Sequence, residues 1–297
     1  MMTSLRHAID SAAALLTAAG IDSARCDAEQ LAAHLTGTQR GLLSVQDEAP
    51  GDGFLGRYQD IVAARCRRVP LQHLTGTVAF GPVELHVGPG VFIPRPETEA
   101  ILEWATAQPL PVRPVIIDVC TGSGALAVAL AQLRPTARII AIDDSDVALE
   151  YARRNVQGSK VELVRADVTE PGLLGELDGQ VDLVVANPPY VPDDAILEPE
   201  VAQHDPRRAV FGGPDGMAVI PHVVRLAGRW LRPGGGFAVE HDESMSLPTV
   251  ELINGAGVFD SVVARRDLAG RPRFVTACRR NGRAACRDDD RESVGYD

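Results

Sequence analysis

From residue 114 onward the chain alternates short β-branched runs with helical ones, and the first such run opens into a glycine loop. Val115-Ile116-Ile117-Asp118-Val119 leads into Cys120-Thr121-Gly122-Ser123-Gly124, after which a helical segment covers 124–133. Runs with the same strand character stand at 138–142, 161–165 and 181–186, and a second helical segment at 146–156 separates the second from the third. Gly236-Phe237-Ala238-Val239-Glu240 follows a helix ending near Leu231-Arg232-Pro233-Gly234. Strand, helix and strand in this order predict an α/β fold, doubly wound around a mostly parallel sheet. Val262-Val263 and the run Arg273-Phe274-Val275-Thr276 predict an antiparallel hairpin that closes it.

The first 76 residues have a different rhythm. Leu5, Ile9, Ala12 and Leu16 recur at helical spacing and stop at Gly20; Leu31 and Leu35 share a face in a run that ends at Gly37. A third run puts Leu55, Tyr58, Val62, Cys66 and Val69 on one side and Arg65, Arg67 and Arg68 on the other, and ends at Pro70. Three short amphipathic helices predict a small bundle, with too little apolar surface to stand by itself. Period-two alternation in 78–93, broken by Gly81-Pro82, predicts a hairpin, and Pro96 with Glu97 and Glu99 opens a further helix. The expected division is a helical N-terminal region at 1–76, a β-hairpin linker at 77–95, an α/β catalytic domain at 96–278 and a tail at 279–297. That tail has five arginines and five acidic residues with almost no apolar anchors, and is expected to be disordered.

Composition removes several function classes. The 297 residues include 29 basic and 40 acidic side chains, a formal charge of -11. Lys160 is the only lysine, and it follows Gly158-Ser159 in the wrong pattern for a phosphate-cradling G-x-x-x-x-G-K-[ST] loop. Schiff-base chemistry would have to fall on this same residue, in a polar run. The five cysteines lack C-x-x-C spacing and the seven histidines are scattered, so no zinc site is expected; the odd number of thiols suits a reducing cytoplasm. No apolar run approaches the ~20 residues that a bilayer span needs. The apolar patch at 12–19 has Asp10 before it and Asp22 behind it, unlike a secretory signal, and reads as a helix of the fold.

Two loops carry the chemistry. In the first, residues 122–127 fit G-x-G-x-x-[GA]: glycine lets a ligand approach the backbone, and the helix start offers N–H groups. Asp143, at the end of the next strand, stands where a carboxylate holds ribose hydroxyls. An NAD(P) enzyme and a methyltransferase using S-adenosylmethionine would both place an acid there. Asp118 separates the two in part, because a carboxylate at the mouth of the first strand repels a pyrophosphate but suits the ammonium of a methionine moiety. The second loop is Asn187-Pro188-Pro189-Tyr190, after the fourth strand. Methyl transfer to a planar NH₂ requires its delocalised lone pair to be aimed at the methyl carbon. Two acceptors can hold it so, the Asn187 side-chain oxygen and the Pro188 backbone carbonyl. The prolines fix the turn, and Tyr190 offers a flat face to cover the planar group. No general base is needed, since an alkylated amide loses its proton readily to water, and His204, His222 and His241 are read as structural or solvated.

Together with Pro94-Arg95-Pro96-Glu97-Thr98-Glu99, Glu198-Pro199-Glu200-Val201, Asp205-Pro206-Arg207, Gly212-Gly213, Asp215-Gly216, Glu240-His241 and Gly270-Arg271, these loops make the chain resemble the PrmC/HemK methyltransferases over about residues 5–278. The resemblance implies a Rossmann-like, class I S-adenosylmethionine-dependent fold. It implies methylation of the glutamine side-chain amide in the Gly-Gly-Gln motif of peptide chain release factors, with S-adenosylhomocysteine as the by-product. Cofactor contacts are implied for Asp118, Cys120, Thr121, Gly122, Ser123, Gly124, Asp143, Asp167, Val168 and Asn187. Substrate and catalytic contacts are implied for Asn187, Pro188, Pro189 and Tyr190, with Phe92 as a further apolar wall. The N-terminal helices are the part that grips the release factor, and no metal is called for. Cys120 stands where the family has glycine, a departure within the loop.

Other readings use parts of the same pattern. Methyltransferases acting on the exocyclic amine of adenine in DNA share Asn-Pro-Pro-Tyr, but a duplex-binding protein needs a basic face. The first 80 residues here hold seven basic and eight acidic groups. A sister family methylating a ribosomal-protein glutamine differs around residues 94–99. An NAD(P) oxidoreductase would leave Asn187 to Tyr190 without a role, and a non-catalytic module that keeps the fold is the remaining alternative. The expectation is a cytoplasmic enzyme with a protein substrate, no direct DNA binding and no membrane association.

Overall fold

In the computed structural model, which describes residues 4–45 and 51–281, helix α1 (Leu5–Ala18) is capped by Ser4, whose side chain accepts the His7 N–H. Helix α2 (Ala24–Thr36) stops where Gly37 turns left-handed, and α3 (Phe54–Cys66) and the short α4 (Leu71–Thr75) complete the group. These helices enclose a core of their own around Leu16, Leu31, Tyr58 and Val62. The inner face of α3 is rotated from the expected one. Phe54, Tyr58 and Val62 point inward, Leu55 is 40% exposed, and Arg65, expected on the outer side, is buried at 6% exposure. Phe54 stacks on Tyr58 with ring centroids 5.3 Å apart, which fixes the rotation. Arg65 is tolerated inside because Asp27 meets it at 2.7 Å and Glu200 at 2.8 Å.

Strands β1 (Thr77–Phe80) and β2 (Val83–His86) form the predicted hairpin, although 87–93 continue as loop. A 3₁₀ turn at Pro96–Thr98 leads into α5 (Glu99–Thr106). The alternation then runs β3 (Val115–Val119), α6 (Ala125–Leu133), β4 (Arg138–Asp143), α7 (Asp146–Asn155), β5 (Glu162–Arg165) and β6 (Val181–Ala186). Two short helices, α8 (Pro199–His204) and α9 (Arg207–Val210), precede α10 (Ile220–Trp230) and β7 (Leu231–Glu240). Helix α11 (Ser246–Gly255) and the hairpin β8 (Phe259–Arg266) and β9 (Pro272–Arg279) close the sheet. Arg279 still pairs with Phe259, so the strand reaches one residue into the expected tail. From residue 282 the expected disordered tail lies outside the described residues.

The seven-stranded sheet has the order β5-β4-β3-β6-β7-β9-β8. Its first five strands are parallel, and β9 runs antiparallel to both its neighbours. Apolar layers cover both faces, and β6 is buried along its whole length, as a doubly wound sheet requires. The chain reverses its direction of winding between β3 and β6, which opens a crevice at the carboxyl ends of those strands. Register fixes what enters it. Val119 pairs with Ile142 on one side and Ala186 on the other, so Cys120, Asp143 and Asn187 leave the sheet side by side.

Candidate active site

The crevice is a cavity of about 430 Å³. Asp118, Cys120, Thr121, Gly122, Ser123, Asp143, Asp167 and Val168 stand in its wall, together with Phe92, Asn187, Pro188, Pro189 and Tyr190. Gly124 does not: it takes φ +85 at the start of α6, and the place of its missing Cβ lies 3.6 Å from Ala152 of α7. There it packs α6 on α7, one residue beyond the Ser123 that lines the cavity. No histidine lines the cavity among the described residues.

The two acids of the cofactor side also tie the loop down. Asp118, 2% exposed, accepts the Thr121 hydroxyl at 2.5 Å and the Ala127 N–H at 3.1 Å. Burial pushes its carboxyl up to about 7 against the lowering effect of those two donors. Asp143 accepts the Gly122 N–H at 2.8 Å and the Ser145 N–H at 2.9 Å, and burial raises it as well. Cys120 has φ +58, the left-handed region that glycine occupies freely, which accounts for glycine as the residue this turn prefers. Burial, with Asp143 and Asp118 next to it, pushes the Cys120 thiol well up, so it stays protonated. Among the described residues, the buried Ser123 Oγ has no hydrogen-bond partner, and nothing lies within 4 Å of the place where a Gly122 Cβ would stand. A polar orphan beside open backbone, with carboxylates at the ends of β3 and β4 and Asp167 beyond β5, fits a nucleoside-type cofactor with a charged arm.

Next to the glycine loop, at the end of β6, Asn187 Nδ2 donates to Thr98 Oγ1 at 3.1 Å, and the Thr98 hydroxyl donates to Glu240 Oε2 at 2.7 Å. Tyr190 Oη donates to the other oxygen of Glu240 at 2.8 Å. Glu240 is 1% exposed, and burial pushes its carboxyl up to about 7 although Thr98, Tyr190 and Arg273 each lower it. The Pro-Pro-Tyr turn is braced by the segment after α9: Val191 N–H donates to Val210, and Gly212 N–H to Val191. Backbone lies on backbone there, since a Cβ on Gly212 would come 2.6 Å from the Pro189 carbonyl oxygen. Arg208 of α9 pairs with Asp144 across the mouth, while Arg95 pairs with Asp205 and sits over the Phe92 ring, 5.0 Å from its centre. Sequence reasoning did not assign roles to Thr98 and Glu240 here. Both lie in segments that stood out as motifs, 94–99 and 240–241, and that position is the signal that points to them.

Residues 7–76 match the PrmC N-terminal domain and residues 97–204 the methyltransferase small domain. The chain is 73% identical over 279 residues to the release factor glutamine methyltransferase of Mycobacterium tuberculosis, covering 93% of this chain and 91% of that one. It is 70% identical over 289 residues to the protein of the same name from Mycobacterium leprae, covering 96% and 100%. Among solved structures it is similar to a methyltransferase from Pyrococcus furiosus, with 16% identity, a TM-score of 0.48, and coverage of 66% and 89%.

Proposed function

The chain belongs to the release factor glutamine methyltransferase family, and from that membership we propose that it methylates the side-chain amide nitrogen of the glutamine in the Gly-Gly-Gln motif of release factors. S-adenosylmethionine is the methyl donor, supplying an electrophilic methyl carbon on a sulfonium. The chain's own residues do the rest. Thr121, Gly122 and Ser123 hold the cofactor with Asp118, Asp143, Asp167 and Val168. Asn187 Oδ1 and the Pro188 carbonyl each accept one N–H of the substrate amide, which aims its nitrogen lone pair at the donor side of the cavity. Tyr190 and Phe92 cover the planar group and exclude water. The methylated nitrogen then releases its proton to water without a side-chain base.

One observation carries this reading: Asn187 leaves β6 in register with the loop that leaves β3, so both ends of the reaction share one cavity. Helices α1 to α4 form the arm that grips the release factor. Arg65 at 2.8 Å and Arg68 at 2.8 Å hold Glu200 of α8, ten residues beyond the Asn-Pro-Pro-Tyr turn, so the arm is anchored beside Val201 in the cavity wall. The enzyme works in the cytoplasm with its substrate, and the net charge of -11 disfavours duplex DNA.

Incubation with tritiated S-adenosylmethionine and purified release factors is expected to label the Gly-Gly-Gln glutamine; no label there refutes the reading. Asn187→Ala is expected to lower kcat by about 10²–10³-fold, the usual cost of one oriented polar contact, with cofactor affinity kept within a few fold. Faster labelling of duplex DNA than of the release factor would favour an adenine amine as the substrate.

A further inference from the structure

A carboxamide is a two-faced group: one end accepts and the other donates. For Asn187 to receive a substrate N–H, its Oδ1 and not its Nδ2 has to face the cavity. Asn187 alone does not dictate this, because a rotation of 180° about its terminal bond exchanges the two ends at no cost in shape.

The neighbours break the tie. Glu240, the last residue of β7, receives the Thr98 hydroxyl on one carboxylate oxygen and the Tyr190 hydroxyl on the other. An ionised carboxylate only accepts, so the one hydrogen of Thr98 has to go to Glu240. Thr98 Oγ1 is then left with lone pairs alone, and it can meet only the donor end of Asn187. We propose that Glu240 and Thr98 are positioning residues that set the orientation of the Asn187 carboxamide, so that its oxygen faces the substrate amide. The inference rests on the proposed glutamine methylation and names residues of that same site.

The charge state of Glu240 is what gives the relay its direction. The groups facing it are Thr98 and Glu97 from the 3₁₀ turn, Tyr190 from the Asn-Pro-Pro-Tyr turn and Arg273 from β9. Arg273 supplies the opposing positive charge, while burial and Glu97 favour the protonated form. A protonated Glu240 can donate to Thr98, which frees the Thr98 hydrogen for Asn187 Oδ1 and turns the amide the wrong way. Turnover is therefore expected to fall as pH drops below about 7, the value to which the Glu240 carboxyl is pushed.

The test compares Glu240→Gln, Thr98→Val and Thr98→Ser in release factor methylation, with cofactor affinity and KM measured alongside. A glutamine at 240 has one acceptor oxygen in place of two and cannot accept from Thr98 and Tyr190 on separate oxygens, so its NH₂ has to displace one of those two donors. Glu240→Gln and Thr98→Val are expected to lower kcat by about 10²-fold, with KM and cofactor affinity changed about threefold or less. Thr98→Ser, which restores the hydroxyl, is expected to recover most of that loss, and the acid limb of the kcat profile is expected to vanish in Glu240→Gln. Turnover near the wild-type rate in both Glu240→Gln and Thr98→Val overturns the inference. A second measurement needs neither a variant that folds nor a substrate. In the wild-type protein, neutron diffraction should show the Asn187 amide hydrogens in contact with Thr98 Oγ1, and the amide oxygen facing Thr98 instead overturns the inference too. A wild-type enzyme that leaves release factors unlabelled defeats the functional reading, while that contact still decides the relay.

Discussion

At position 120 the backbone asks for one residue and the chain supplies another. Cys120 is held at φ +58 between β3 and the glycine loop, a conformation that costs an L-residue about 1–2 kcal/mol. Alanine normally surpasses glycine in stability because it restricts the unfolded chain. Here the order should reverse: Cys120→Gly is expected to be about 1 kcal/mol more stable than Cys120→Ala. Thermal unfolding checks this, with the glycine variant melting about 2–4 °C higher; equal melting temperatures, or a higher one for alanine, would remove strain as the explanation. The sequence shows a cysteine in a glycine-rich loop, and the motif shows which residue is unusual. It does not show why, because the sign of φ at one residue depends on the pairing of β3 with its neighbours. Gly124 illustrates the same limit. Its place in the G-x-G pattern suggests a ligand contact, and its positive φ and its seat between α6 and α7 are visible only in the folded chain.

At the level of elements, the face of a helix is decided by what it meets. The spacing of apolar residues in α3 allows two faces one position apart, and the arginines at 65, 67 and 68 favour the wrong one. Burial of Phe54 against Tyr58 selects the other, and this carries Arg65 inside, where Asp27 of α2 and Glu200 of α8 neutralise it. Removing Arg65 leaves the buried Asp27 without its partner, while Glu200 keeps Arg68. Arg65→Leu is expected to cost about 3–5 kcal/mol of stability, read as a lower denaturant midpoint with an unchanged slope. A loss under about 1 kcal/mol would put the cluster in the weak class of exposed ion pairs. Element boundaries were more legible. Strand β3 has the residues the alternation predicts, and α6 and α7 differ from theirs by about a residue, because each is set by local periodicity and a nearby cap. Helix α4 and the 3₁₀ segment Arg40–Val45 were not read from the sequence; at five and six residues they offer too few turns for a period to register.

For the whole molecule, the two buried carboxyls of the site make stability depend on pH. Asp118 and Glu240 are each pushed up to about 7 by burial, so the folded state holds protons that the unfolded chain has released. Their contribution is fully present below about 4 and is lost as pH rises through about 7. His73, at the foot of the arm, acts in the opposite direction, since burial, His204 and Arg95 depress it to about 4 and its contribution is lost on acidification. In the unfolded chain His73, like His241, which burial also depresses, is half protonated at about 6.5 and becomes neutral in both states only about a unit higher, so above about 6.5 the histidines oppose the two carboxyls only in part. The melting temperature of the cofactor-free protein is therefore expected to fall between pH 6.5 and 8 on account of the carboxyls, and Asp118→Asn to flatten that slope. A wild-type melting temperature that stays level or rises across that interval would contradict it.

What the sequence determined by itself was everything encoded over a short span. The alternation that makes a doubly wound sheet, the glycine loop after β3 and the Asn-Pro-Pro-Tyr turn after β6 can all be read from neighbouring residues. Their meeting in one crevice follows from strand order. What only the tertiary structure decided are the contacts made across it: Asn187 with Thr98, 89 residues away, Thr98 with Glu240, 142 residues away, and Arg65 with Glu200, 135 residues away. Periodicity and turn chemistry act between near neighbours along the chain. Hydrogen-bond polarity and charge pairing inside the protein depend instead on register and burial, which are set when distant segments close on one another and exclude water.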